Sequence, residues 1–453
     1  MMDEIPQAQI LHTGEQSRKI LANRLKKKQL QTKIPYIVSP TRGKLYNPLD
    51  FANELAQYYD RLYNLKNDPT LPQPTDRDIE AFLEDISLPR LSTHGSTQLD
   101  APFTDDEIRR AILSLPKHKA PGPDRLSNYY YHKLETLLTP HLTKLFNTIK
   151  MSGTLPTEML EAHVVTLPKP GKPPTQCENL RPISLLNADI KLYAKLWALR
   201  LKTHLTELVS IKQAGYVPGR QAGDNTRHFI NLINWANTSQ QVGTVLALDA
   251  KKTFDRLNWE YMKATLLKMG FTTQTLRGIM ALYHSPSARI FNSGFISDKF
   301  HISNGTRQGC PLSSLLFILC LEPLILHIKQ HQGIEGLLTP AGINKIALFA
   351  NDVLLFLTNP THSIPNLMEL LLQYGRVSYY KNNLKKTQAL PIGITANVIQ
   401  TLKTQHPFDW RKTSLKYLGI NLTKSHSLLT RENHIPLTHK LQAQLEEWQN
   451  LEI

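Results

Sequence analysis

Apolar positions along this chain follow two periods. Residues 345–357 carry two short apolar runs, Ile346-Ala-Leu-Phe349 and Val353-Leu-Leu-Phe-Leu357, around the polar pair Asn351-Asp352. Short runs rich in branched and aromatic residues about a tight polar break predict a buried β-hairpin. Thr244-Val-Leu-Ala-Leu-Asp-Ala250 is a second apolar strand, ending in Asp249. Ala162 to Lys172 predicts a strand running into a basic turn, with 179–186 as the return. Ile34 to Val38 and Gly43 to Tyr46 predict a small strand pair, and 415–423 another. Helical spacing marks the other segments. Asn47-Pro-Leu-Asp50 opens a helix through Phe51, Leu55, Tyr58, Tyr59, Leu62 and Tyr63, with Asp50 as its expected N-cap. Thr104 opens a capped amphipathic helix to Leu115, and further helices are expected over 128–151, 189–208, from 224, 315–328, 367–374 and from 438. Between 67 and 76, Pro, Asn, Asp and Thr mark a linker.

Composition narrows the partner. The 453 residues are enough for a large core and two or three subdomains. A net charge of +16 and pI of about 9.5 suit a phosphate-rich ligand. Residues 16–31 concentrate this charge in Arg18, Lys19, Arg24, Lys26, Lys27 and Lys28 beside a partial apolar stripe of Ile20, Leu21, Leu25 and Leu30. That segment predicts a helix that either tracks phosphates or is a solvated face. The 3 cysteines, Cys177, Cys310 and Cys320, have neither disulfide-framework nor zinc-finger spacing. No apolar run reaches membrane-spanning length and the N-terminus is not a signal peptide, so a soluble, reducing compartment is expected, nuclear or cytoplasmic.

The candidate chemistry lies in the two strand-borne carboxylates. A carboxylate at a tight turn costs free energy unless it is paired, solvated or holding a cation. Two strands that each carry an Asp to one sheet edge can clamp Mg²⁺, which takes oxygen ligands and substrate phosphates. Leu248-Asp-Ala-Lys-Lys-Thr-Phe-Asp255, Gly305-Thr-Arg-Gln-Gly-Cys-Pro-Leu312 and Phe349-Ala-Asn-Asp352 resemble the three core motifs of reverse transcriptases, and most closely those of non-LTR (long interspersed element type) retrotransposons.

The resemblance implies an α+β right-hand polymerase, with an antiparallel palm sheet backed by helices. Its expected parts are an N-terminal extension (1–100), fingers (101–240), palm (241–390) and the start of a thumb (391–453), most of which is expected to be missing. It implies nucleotidyl transfer from deoxynucleoside triphosphates to a DNA primer on an RNA template, with two Mg²⁺ ions, or Mn²⁺, held by Asp249, the Ala250 carbonyl, Asp352 and the residue at 351. Lys169, Lys172 and Arg181 would close over the triphosphate, Arg offering a fork of donors. Phe254 would lie beneath the sugar and exclude a 2′-hydroxyl, Gln308 would touch nucleotide or template, and Gly305 and Gly309 would let backbone approach a base pair. Lys381 would protonate the leaving pyrophosphate.

Several residues depart from the family pattern. Asn351 stands where the family has Asp, Arg125 where it has Gly, Ser314 where it usually has Pro, and Tyr379, Asn382 and Thr387 alter the motif after the hairpin. Asn351 keeps the shape but offers a neutral oxygen. Loss of a ligating carboxylate is expected to slow the reaction by about a hundredfold to a thousandfold or more. The expected protein is therefore a reverse transcriptase with weak or absent activity. The alternatives are a non-catalytic protein that grips RNA or an RNA–DNA hybrid, and a translated pseudogene. With no room for the family's endonuclease and no Cys-rich C-terminal segment, an endonuclease would be needed in trans.

Overall fold

The computed structural model describes residues 34–292 and 294–449, so the basic segment 16–31 lies outside the described residues. Strands β1 (Ile37–Ser39) and β2 (Gly43–Leu45) form the expected small ladder. The helix Pro48–Tyr63 follows, capped by Asn47 and not by Asp50; the Asn47 side chain accepts from Leu49 N at 2.9 Å. Proline at the first helical position has no N–H to satisfy and a helix-ready φ, so the cap falls just before Pro48. Asp50 lies in the first turn, 3.5 Å from Arg42. The helices Asp76–Glu84 and Asp105–Leu113 both open on reciprocal capping boxes, Thr75 with Asp78 and Thr104 with Glu107.

The other strands are, in chain order, β3 (Glu161–Pro168), β4 (Leu180–Leu185), β5 (Gly243–Leu248), β6 (Ser287–Asn292), β7 (Phe295–Ile296), β8 (Phe300–His301), β9 (Leu337–Thr339), β10 (Gly342–Asn344), β11 (Ile346–Phe349), β12 (Asp352–Thr358), β13 (Gln388–Ile392), β14 (Asp409–Trp410), β15 (Ser414–Tyr417) and β16 (Ile420–Thr423). Among the described residues they build two five-stranded sheets and two further small ladders, β9-β10 and β15-β16. The first sheet runs β4-β3-β6-β7, with β8 also on β6; β3 and β6 are parallel. Its inner face, Val164, Leu180, Ala288 and Ile290, packs on Phe51, Leu55 and Tyr59 of the helix Pro48–Tyr63.

The second sheet runs β11-β12-β5-β13-β14, antiparallel except where β13 meets β14. It is covered on both faces, which explains why β12 reads as an unbroken apolar run. Val353, Leu355 and Leu357 enter the main core, whereas Leu354 and Phe356 pack with Phe229, Leu232 and Ile233 of the helix Ala222–Thr238.

The main core is centred on the helix Ser313–Gln330. By length and composition this helix is apolar enough to cross a membrane, contrary to the expectation that no run reaches that length. Its apolarity is accounted for by packing: 72% of the span is buried inside the protein, with Leu315 to Leu319 all buried. The hydroxyls of Tyr261 and Tyr374 both donate to the Cys320 carbonyl at 3.1 Å, fixing the helix between its neighbours.

The helix starts differ slightly from expectation, at Ala188 rather than 189 and at Ala222 rather than 224. The first of these helices breaks at Lys202, and Leu205–Leu208 forms a separate turn. The segment expected to be helical over 367–374 is part of a longer helix, Pro360–Ser378.

Candidate active site

β5 lies beside β12 with Val353 opposite Leu248. One step further along the antiparallel ladder, Asp352 comes beside Asp249, where opposed Cα atoms are about 4.5–5.5 Å apart. The two carboxylates are thus close enough at this end of the sheet to feel each other's charge. Burial raises the Asp352 carboxyl above its usual range, and the neighbouring Asp249 charge raises it further. Asp352 is open to solvent on one side but walled by protein on the other, which reconciles its exposure with this desolvation. Asn351 occupies the turn between β11 and β12, half-buried.

Asp249 is held by the segment after the hairpin, through Asn383, a residue not singled out in the sequence. Asn383 Nδ2 donates to Asp249 Oδ2 at 2.7 Å, and Asn383 N donates to the Asp249 carbonyl at 2.7 Å. Ala250 bridges Asn382, and Lys251 N donates to the Lys381 carbonyl at 2.8 Å. Thr387, one of the residues that departs from the family pattern, accepts from Asp249 N at 3.4 Å.

The loop that follows Asp249 is seated on the helix Pro48–Tyr63. Asp255 is fully buried and accepts from the Tyr63 hydroxyl at 2.9 Å. Burial pushes its carboxyl up to about 6, against the pull of Lys252. Lys252, at a positive φ of 47°, lays its ammonium over the Tyr58 and Tyr59 rings at 4.5 and 4.9 Å, and burial pushes it down to about 8.

Phe254 is half-buried, with its ring 4.4 Å from Phe317. Its carbonyl accepts from Thr306 N and, at 3.2 Å, from the Thr306 hydroxyl. Gly305 crosses this loop so closely that a Cβ would lie 2.4 Å from the Asp255 carbonyl oxygen. Gly309, at φ +120°, passes Ser184 equally closely, and Ser184 N donates to the Gln308 carbonyl at 2.9 Å. These contacts stitch the segment 303–312 to both the post-Asp249 loop and β4. Arg307 is buried and donates to the Leu160 and Leu282 carbonyls at 3.1 and 3.3 Å, so it braces the segment from within.

Arg181 lies on β4, exposed and opposite Leu167. Lys172 is exposed in the β3–β4 turn. Lys169 is half-buried and donates to the Glu178 carbonyl at 2.8 Å; burial lowers its ammonium, and the nearby charges of Lys386 and Arg181 lower it further. Lys386, not singled out in the sequence, thus joins two of the expected cations from the turn before β13. Lys381 is exposed and lines a cleft with Leu71, Pro72, Arg256 and Tyr380, close enough to Asp68 for its charge to help lower that carboxyl.

Arg125 has φ 62°, the left-handed conformation in which the resemblance has glycine. Asn187 holds this turn from the far side, its Oδ1 accepting from Asp124 N at 3.2 Å.

Among the described residues, no three His, Cys, Asp or Glu side chains are grouped to hold a metal ion.

The sequence matches the reverse transcriptase (RNA-dependent DNA polymerase) family over residues 167–422, more than half of the chain. Relatives include the Transposon TX1 uncharacterized 149 kDa protein of Xenopus laevis, 27% identical over 93% of this chain and 31% of its own length. The Retrovirus-related Pol polyprotein from type-2 retrotransposable element R2DM of Drosophila melanogaster is 24% identical over 78% of this chain and 32% of its own. The RNA-directed DNA polymerase from mobile element jockey, also of Drosophila melanogaster, is 26% identical over 61% of this chain and 29% of its own. The chain spans about a third of the length of these curated relatives. The matched segment takes in both strand-end aspartates, the glycine-rich crossing and the basic hairpin, and this chain belongs to the reverse transcriptase family.

Proposed function

We propose that this chain is the RNA-directed DNA polymerase domain of a non-LTR retrotransposon, weakened by Asn351. The observation that carries this reading is the adjacency of Asp249 and Asp352 at the end of a two-faced sheet, with Asn351 completing the turn. In this reading the fingers correspond to 101–240, the palm to 241–390 and the start of the thumb to 391–453, with the preceding residues as an extension that supports the palm.

The donor set fits a divalent cation. Two adjacent carboxylates, one already raised by burial and by its neighbour's charge, are a pair that a cation relieves. Asp249, Asp352, the Asn351 amide oxygen and the Ala250 carbonyl would hold Mg²⁺ or Mn²⁺. Such ions, when bound, favour the ionised primer hydroxyl and offset charge on the transferring and leaving phosphates. Asn383 holds Asp249 in one rotamer by its 2.7 Å hydrogen bond, so the primer 3′-hydroxyl meets a fixed carboxylate. Phe254, backed by Phe317, limits the room beside the sugar. Arg181, Lys172 and Lys386 offer positive charge to the triphosphate, and Lys169 joins them if it exchanges its Glu178 contact for phosphate. Gln308 and Gly309 present backbone and amide edges to the nascent base pair. Lys381 would supply a proton to pyrophosphate only by swinging out of its cleft.

Asn351 favours a second reading, a protein that grips RNA or an RNA–DNA hybrid without chemistry. Primer extension on an RNA template separates the two, with the parent chain run beside Asn351→Asp. Extension by the variant, with little or none by the parent, supports the weakened polymerase. Absence of extension by both supports the binding protein.

A further inference from the structure

We infer that Gln213 is a positioning residue for the turn that carries Asn351 and Asp352. The inference rests on the polymerase reading for its catalytic consequence, but not for its geometry. Ala350 sits at φ 56°, a left-handed conformation that a residue with a Cβ adopts only under constraint. The constraint is one amide side chain. Gln213 Oε1 accepts from Ala350 N at 2.8 Å, and Gln213 Nε2 donates to the Ala350 carbonyl at 3.3 Å. The same oxygen accepts from Gly215 N at 2.8 Å, which fixes the side chain to its own loop. Gln213 thereby imitates a peptide group and supplies the turn with a strand-like neighbour.

The loop around Gln213 is built for this. Ala214 N donates to the Leu348 carbonyl at 2.8 Å and Leu348 N to the Lys212 carbonyl at 2.9 Å, so the loop adds itself to the β11 edge. Arg220 locks it from below, donating to the Ser210 and Gln213 carbonyls at 2.6 and 2.7 Å. A Cβ on Gly215 would lie 2.2 Å from Ala350 N, so the loop can press on the turn only with glycine there. Gln213 is wholly buried, so water does not compete for these bonds. Asp352 lies two residues beyond the clamped Ala350, and its position opposite Asp249 depends on where the turn is pinned. The carbonyl of Asp352 is caught separately, by the Tyr417 hydroxyl at 3.3 Å.

The test uses Gln213→Met, which keeps the volume and removes the hydrogen bonds, and Gly215→Ala, which pushes directly on Ala350 N. The first measurement is amide hydrogen exchange on the full chain without nucleic acid. Loss of the two bonds to Ala350 is expected to speed exchange at Ala350 about tenfold, with the core helix Ser313–Gln330 unchanged. Unchanged exchange at Ala350 in both variants overturns the clamp, whatever the chain's activity. The second measurement is single-nucleotide incorporation in an Asn351→Asp background. There kcat is expected to fall roughly ten- to hundredfold, with KM for the deoxynucleotide held within about twofold and the Mg²⁺ midpoint moved upward. Unchanged kcat and Mg²⁺ midpoint overturn the positioning role. Failure of the Asn351→Asp chain itself to extend a primer counts against the polymerase reading, and the exchange result then decides the clamp alone.

Discussion

Replacing Asn351 by Asp restores a negative charge at the one point of the site where the turn offers only an amide oxygen. The gain follows from the geometry. With about 4 Å between charge centres and an effective dielectric near 20, a carboxylate and a divalent cation attract by about 8 kcal/mol. The new charge is also repelled by Asp249 and Asp352, at about 3 kcal/mol each for separations near 5.5 Å. The balance is about 2 kcal/mol in favour of the loaded site, roughly a thirtyfold gain in rate if it is felt fully in the transition state. A tighter approach to the metal would bring the gain to the hundredfold range.

The same arithmetic reverses without metal. A third carboxylate then raises the Asp352 carboxyl further above its usual range. A carboxyl so raised contributes stability below its unfolded pKa and loses it as pH rises through the folded one. Metal-free Asn351→Asp should therefore melt below the parent at neutral pH and above it in millimolar Mg²⁺. Primer extension on an RNA template, with Mg²⁺ and with Mn²⁺, gives the rate. Equal rates for parent and variant under both metals, with no crossover in melting temperature, would refute the charge argument.

Three more outcomes can be checked independently. In the Asn351→Asp background, Asn383→Asp sets a carboxylate against Asp249 Oδ2 where the amide now donates at 2.7 Å, and the neutral-pH rate should fall by about tenfold or more. An unchanged rate would show that Asn383 does not govern Asp249. Glu322 is fully buried in the core helix, where burial pushes its carboxyl from 4.5 up to about 7, with Lys329 and Arg220 only partly offsetting this. Its folded pKa is raised, so its stability contribution is present below about pH 4.5 and is lost as pH rises through about 7. The loss should total about 3 kcal/mol between about pH 4 and 8, of which only about 1 kcal/mol falls between pH 6 and 8, and Glu322→Gln should flatten that slope. Arg125→Gly removes a side chain from φ 62° and should stabilise the chain by about 0.5–1 kcal/mol, read as a rise in melting temperature of about 1–2 °C. A fall would mean that the Arg125 side chain makes contacts that outweigh its backbone strain.

The sequence by itself determined the local elements and the chemistry at their ends. The hairpin, the β5 strand and the capping box at Thr104 all follow from rules that act over a few residues. Short unbroken apolar runs about a tight polar break read as strands, and Thr and Glu three apart cap a helix, whereas the turn at Arg125 keeps the left-handed backbone of a glycine turn despite the change expected to alter it. Asp50 is not the cap expected of it, because proline at position 48 starts the helix earlier and leaves the cap to Asn47.

Tertiary structure alone decided which strands lie side by side. β5 enters between β12 and β13, and this brings Asp249 to Asp352 and to Asn383. It also set the Gln213 loop against the turn and brought Lys386 to Lys169. Such contacts join residues far apart in the chain and leave no periodic trace, because each depends on the packing of two sheet faces and not on its own neighbours. The long apolar helix Ser313–Gln330 makes the same point: its composition fits a membrane or a core equally, and only the surrounding helices and sheet show it to be a core helix.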